Sequence, residues 1–201
     1  IEGWLPRAFR EAELPESARN LAVKLGVKLD GEGGGEWVFH LDNGELRVES
    51  GPREAAAFTL IQTVSDWRGA LFEGRGGAFG KQASALFRPG SQPEPGGALG
   101  RNPGNPAAVA ALQNLDGLIR MVVSGGERGD WSIGFKLGPG AIPDQPTTTV
   151  TVSAEVADRL ERGELDPLQA FMSGQIQIAG DMALMMQMQM ALQAPLPPAG
   201  S

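Results

Sequence analysis

The sequence predicts an α+β fold, on three observations. Residues 147–192 read in order as strand, helix, short helix, strand and apolar helix. Residues 61–74 read as an earlier strand and helix of the same form. Two strands carrying tryptophan, at 35–41 and 129–135, each follow an apolar segment, 21–29 and 118–123, with which they can pair through a glycine-rich connection.

The last third is the most explicit. Thr147-Thr148-Thr149-Val150-Thr151-Val152 alternates and is rich in β-branched residues, which favours a half-buried strand. Ser153 occupies a helix N-cap position, Val156 and Leu160 are spaced for one buried face, and Gly163 stands at the end. Pro167 can open a second short helix carrying Leu168, Phe171 and Met172. Gln175-Ile176-Gln177-Ile178 alternates again. Gly180-Asp181 supplies a turn and a capping residue, and a helix follows over 182–192.

That helix holds Met182, Leu184, Met185, Met186, Met188 and Met190, and reads as too apolar for a surface element. Its apolar residues occupy more than one face, so both faces are expected to be covered. Met182, Met186 and Met190 form one i, i+4 row with Met185 beside it. Such a helix is about 16 Å long, comparable with a long stretch of acyl chain. Unbranched methionines can reshape around ligands of different form. Ordinary core packing is the competing reading. Gln187, Gln189 and Gln193 read as exposed or capping residues, with head-group contact as the alternative.

The two sides of a Pro/Gly-rich middle look alike. Gly35-Glu36-Trp37-Val38-Phe39-His40-Leu41 matches Gly129-Asp130-Trp131-Ser132-Ile133-Gly134-Phe135, and residues 61–74 match 150–163 position by position. The tryptophan-to-glycine separation is longer in the first copy, where a loop and an edge strand are expected. Internal repetition follows from this. The expected organisation is a first unit at 1–90, a linker at 91–106, a second unit at 107–193 and a flexible tail at 194–201. The first unit is incomplete: residues 75–87 can form a short helix, but no further strand or methionine-rich helix follows.

Composition excludes several functions. There is no cysteine, which removes disulfides, thiol chemistry and cysteine-based metal sites. Tyr is absent as well. A net charge of −7 argues against nucleic acid or an anionic membrane as the main partner. No apolar run approaches the ~20 residues of a membrane helix, and no signal peptide is read, so the expected location is the cytoplasm. The chain begins Ile1-Glu2-Gly3 without Met, as expected of a trimmed start or of one piece of a longer protein.

Individual motifs carry little catalytic signal. Residues 74–81 look like a phosphate-binding loop, but Arg75 replaces the required glycine, Gln82 replaces Ser or Thr, and the run follows a helix where a strand is needed. His40, the only histidine, alternates away from Trp37, Phe39 and Leu41 and has no nucleophile near it in sequence. No Gly-x-Ser-x-Gly elbow exists. Glu11/Glu13 and Glu161/Glu164 read as solvated helix faces, and the four tryptophans as core anchors. No catalytic residue, metal ligand or cofactor is expected.

Three stretches together resemble the sterol carrier protein type-2 family: Thr149-Val150-Thr151-Val152-Ser153, then Arg162-Gly163-Glu164-Leu165-Asp166-Pro167-Leu168-Gln169-Ala170-Phe171, then Ser173-Gly174-Gln175-Ile176-Gln177-Ile178-Ala179-Gly180-Asp181-Met182. The family's pattern is a Thr-rich alternating strand, a helix ending in Gly, an acid or amide before Pro, Ala-Phe, Gly, a short strand, Gly-Asn/Asp-Met and an apolar helix. The resemblance implies a twisted, mostly antiparallel sheet backed by helices, with two such units of which the first is degenerate. It also implies a hydrophobic tunnel for fatty acid, fatty acyl-CoA or sterol, bound without catalysis. Leu168, Phe171, Met172, Ile176, Ile178, Met182, Met185, Met186 and Met190 are the implied lining residues. Ser173 stands where the family often has Gln, which removes an amide contact there. Transient membrane contact and a homodimer are further expectations. The alternative function is a structural, dimerising or accessory module of a larger protein.

Overall fold

The computed structural model describes residues 2–11, 22–42, 45–51, 53, 55–85 and 106–192. The expected tail at 194–201 and the linker at 91–106 lie outside them, apart from Pro106, which opens a helix.

Alternation builds the strands. In β1 (Ala22–Asp30) Val23, Val27 and Leu29 turn inward while Lys24 and Lys28 turn out. β2 (Gly35–Asp42), β3 (Glu45–Ser50) and β4 (Phe58–Thr63) follow, then β5 (Gly117–Ser124), β6 (Trp131–Leu137), β7 (Thr148–Ser153) and β8 (Ile176–Gly180). All eight join one sheet in the order β3-β2-β1-β4-β6-β5-β7-β8. Only β1–β4 and β5–β7 are parallel; the other five pairings are antiparallel, as the fold class requires.

Helices α1 (Trp4–Glu11), α2 (Val64–Phe72), α3 (Gly77–Ala85), α4 (Pro106–Gln113), α5 (Ala154–Glu161), α6 (Pro167–Met172) and α7 (Met182–Leu192) complete the order. Leu5, Ala70, Leu71, Ala83, Leu112, Val156, Ala157, Leu184 and Ala191 from these helices share one hydrophobic cluster with Val27, Leu60, Ile119, Met121, Trp131, Ile133, Val150 and Val152 of the sheet. The opposite side of the sheet carries Lys24, Lys28, Arg120 and Gln177, all at least partly exposed.

Both halves share one strand layout. In β2–β1–β4 and in β6–β5–β7 the central strand pairs antiparallel with one neighbour and parallel with the other. The first half adds β3 outside β2, the edge strand expected from the longer spacing. The second half adds β8 outside β7. Neither half has the other's extra strand among the described residues, so β4 and β6 each present a bare edge where that strand would lie. They pair with each other, Phe58 to Ile61 against Leu137 to Gly134. One junction therefore closes two edges that would otherwise expose unpaired backbone.

The position-by-position match of 61–74 with 150–163 needs one correction. The N-caps are Thr63 and Ser153, whereas the expected alignment sets Val64 opposite Ser153. The C-caps, Glu73 and Arg162, agree with it. α2 has nine residues and α5 eight, so the match slips by one at the strand end. Each cap hydroxyl accepts a backbone N–H three residues on, at 2.9 Å from Asp66 and 3.3 Å from Val156.

Side chains reinforce the junction. Trp131 is 1% exposed, and its Nε1–H donates to the Asp66 carbonyl at 2.9 Å. Arg75 donates to the Asp130 carbonyl at 2.9 Å and faces the Asp66 carboxylate at 3.5 Å. Gln62 donates to the Ser132 carbonyl at 3.1 Å. Gly76, at φ +88°, lies against the Trp131 ring, where a Cβ would come within 2.7 Å of it. The glycine-rich run at 74–81 is thus a packing turn that admits the indole. α3, the short helix expected there, begins within the run at Gly77.

Lys136 is 1% exposed although charged. Its ammonium donates to Asp116 Oδ1 at 2.8 Å and to the carbonyls of Leu137 and Pro139 at 2.7 and 3.1 Å, tying the β6–β7 connection down. The hydrogen bond from Lys136, and then its charge, hold the Asp116 carboxyl below its ordinary value of 3.8. A depressed folded-state value means that the ionised carboxylate stabilises the fold above the unfolded value. That contribution is lost as pH falls from 3.8 through the lower folded value. The melting-temperature gap between native protein and Asp116→Asn is therefore expected to be constant near neutral pH and to close as acid protonates Asp116. Because Asp116 is largely exposed, the gap is small.

Candidate functional site

The C-terminal segment folds by local rules at each step. Gly163 takes φ +70° after α5. Asp166 Oδ1 accepts from the N–H groups of Leu168 and Gln169 at 2.9 and 3.0 Å, with Pro167 at the first helical position of α6. Asp181 caps α7, accepting from Ala183 and Leu184 at 2.8 and 3.3 Å. The Thr148 hydroxyl donates to the Asp181 carbonyl at 2.7 Å, which fixes the start of α7 to β7.

Gly180 makes the turn between β8 and α7. It sits at φ +100°, and a Cβ there would lie 2.3 Å from the Thr147 carbonyl oxygen. Gly180→Ala is expected to destabilise the protein by about 2–3 kcal/mol, from strain plus the clash. Thermal unfolding measures this, and local hydrogen exchange should show α7 loosening first.

The nine expected lining residues fall into two groups. Ile176 and Ile178 stand opposite Val152 and Val150, half-buried against the core, and Met185 joins them from α7. The other six are on the surface: Leu168 66%, Phe171 40%, Met172 79%, Met182 42%, Met186 59% and Met190 64% exposed. In α6 only Ala170 turns fully inward. In α7 Leu184 and Ala191 are buried and Met188 is half-buried. At 100° per residue, 184, 188 and 191 share one side and 182, 186 and 190 the other.

The expectation that both faces of this helix are covered is therefore not met among the described residues. α7 packs on α4 and touches β7. A single helix at the end of a sheet can turn only one side to the core, whatever its composition. The result is exposed apolar side chains on both α6 and α7, four of them methionines. Within this segment the Ser173 hydroxyl is engaged locally: it donates to the Gln169 carbonyl at 2.8 Å and accepts from Gln175 at 2.8 Å.

Two features went unread in the sequence. Phe72, at the end of α2, is 75% exposed; its signal is an aromatic residue directly beside the buried Leu71. At the other end of the sheet a cavity of about 260 Å³ lies between Lys24, Val38, His40, Glu49 and Ala56. His40 faces it, half-buried, with Nε2 at 3.4 Å from Glu49. Cross-strand register creates it, and register cannot be read from one strand. Among the described residues no group of three or more His, Cys, Asp or Glu is placed to hold a metal ion. No helix among them is long and apolar enough to cross a membrane.

The described residues define an α+β protein with one mixed sheet, whose last two helices expose apolar side chains. Residues 98–193 match the SCP-2 sterol transfer family. It is 33% identical over 87 residues to hydroxysteroid dehydrogenase-like protein 2 of Xenopus tropicalis, covering 41% of this chain and 21% of that protein. The Xenopus laevis counterpart is 32% identical over the same length. The chain thus spans about a fifth of the length of these curated relatives. Among solved structures, the palmitated sterol carrier protein 2 like 2 of Aedes aegypti is 17% identical, covering 44% of this chain and 93% of that one at a TM-score of 0.31. Sterol carrier protein domain 2 of Helicoverpa armigera is 24% identical, covering 43% and 77% at a TM-score of 0.30.

Proposed function

We propose that the surface formed by α6, β8 and α7 binds and transfers a fatty acid, fatty acyl-CoA or sterol, without catalysing a reaction on it. One observation carries this: six of the seven large apolar side chains exposed among the described residues lie between 168 and 190. An acyl chain laid on them leaves water with a gain of roughly 0.8 kcal/mol per methylene buried. Leaving a bilayer brings no such gain, so transfer needs a tunnel that matches lipid closely; closure of α7 over Ile176 and Ile178 would form it. Leu168, Phe171, Met172, Met182, Met186 and Met190 are the entry surface in this reading, and Met185, Ile176 and Ile178 the inner lining. We read segments 1–90 and 107–193 as two units of one type, the first degenerate; their shared strand layout supports this. The expected setting is the cytoplasm, with brief membrane contact during loading.

Native mass spectrometry of the purified protein tests the proposal, together with titration by a fluorescent fatty acid. Saturable binding at one site per chain, or lipid that co-purifies, is expected. No uptake of fatty acid, acyl-CoA or sterol would overturn it. A second reading is favoured by the relatives, in which the matching segment is a fifth of a longer protein. There the same surface would be covered by a neighbouring domain or a second copy. Sedimentation decides: a dimer that takes up no lipid supports this module reading.

A further inference from the structure

We propose that this surface is also a methionine-oxidation site, through which peroxide switches the protein's apolar binding off. The functional half of the proposal rests on the lipid-binding reading above; the site itself does not. The chain has no cysteine, so every sulfur atom in it is a methionine thioether. Six of its seven methionines fall between 172 and 190, and Met121 is the only one elsewhere. Met172, Met182, Met186 and Met190 are the exposed ones, whereas Met121 is 9% exposed, inside the sheet core. Thioether oxidation follows accessibility, so an oxidant meets its sulfur targets on the very surface proposed to hold lipid.

The chemistry needs one two-electron oxidant, a hydroperoxide. A sulfur lone pair attacks the terminal oxygen, the O–O bond breaks, and an S–O bond forms. Sulfur loses two electrons, the peroxide gains them, and the departing oxygen takes up a proton to leave as water or alcohol. The sulfoxide is polar and chiral where the thioether was apolar and flexible. Burying it under a hydrocarbon ligand carries the penalty of an unpaired polar group. Reversal requires an external methionine sulfoxide reductase with its thiol donor, because the chain supplies no thiol of its own. None of the four side chains is fully packed, so oxidation leaves the fold intact.

The experiment treats the protein with hydrogen peroxide and follows two readouts. Peptide mass spectrometry should show a 16 Da gain at Met172, Met182, Met186 and Met190 at least about tenfold faster than at Met121. Even oxidation of all seven methionines, or oxidation only after unfolding, would overturn the site. Binding of a fluorescent fatty acid should weaken at least about tenfold on oxidation and recover with sulfoxide reductase and dithiothreitol. Native protein that binds, and binds equally after all four sulfoxides have formed, would overturn the switch. Untreated protein that never binds would instead sink the lipid reading, with the mass spectra still deciding the site. Met121→Leu should keep the full response to peroxide, and a variant with Leu at positions 172, 182, 186 and 190 should show none, whatever its starting affinity.

Discussion

Replacing Trp131 with Ala is expected to destabilise the whole protein by about 3–5 kcal/mol, a large part of the 5–15 kcal/mol typical of a domain. The indole is 1% exposed and belongs to the second half of the chain, yet it packs against Gly76 and donates to the Asp66 carbonyl, both in the first half. Truncation leaves a cavity between the halves and removes the indole hydrogen bond to α2. For a chain of this size the melting temperature should fall by about 10–15 °C. The form of the transition matters more than its midpoint. Because β4 and β6 close each other's edges, denaturant unfolding followed by tryptophan fluorescence and by circular dichroism should move together in one transition. Two separate transitions, with only the later half weakened, would show that the sheet is not one cooperative unit.

Changing Met186 and Met190 together to Gln is expected to do the opposite: little to stability, much to binding. Both side chains are more than half exposed, and Met and Gln have similar helix propensity, so unfolding should shift by under about 1 kcal/mol. Affinity for a fatty acid or sterol probe should fall at least about tenfold, because an amide under hydrocarbon lacks a partner. Gln is neutral, so the loss cannot be assigned to repulsion of a carboxylate or phosphate head group. Equal binding by the double variant would remove the outer row of α7 from the site and leave Met185, Ile176 and Ile178 as the residues to test. The contrast between Trp131 and the Met186/Met190 pair separates what holds the fold together from what the fold presents.

The strand and cap positions of the C-terminal half are legible residue by residue, because they follow from local chemistry. Ser153, Asp166 and Asp181 cap the next N–H groups with their own side chains, Pro167 has no N–H to lose, and Gly163 accepts a left-handed backbone. None of these needs knowledge of a distant residue. The one-residue slip between α2 and α5 shows where such reading stops: sequence identity aligned the helix ends, while hydrogen bonding aligned the caps. The burial of Lys136, the cavity beside His40 and the place of the Trp131 ring all depend on cross-strand register or on a loop folding back.

The sequence alone determined the element order, the strand periodicity, the helix caps and the family resemblance of the C-terminal segment, since each is written in neighbours within a few positions. Tertiary structure alone decided that the earlier and later strands join in one sheet through β4 and β6, and that the methionine row of α7 faces outward. The physical reason is the same in both cases. A bare strand edge and an apolar helix face each demand a partner, but the demand does not say which partner. Only the packed chain shows that the first was met from within, and that the second stays exposed among the described residues.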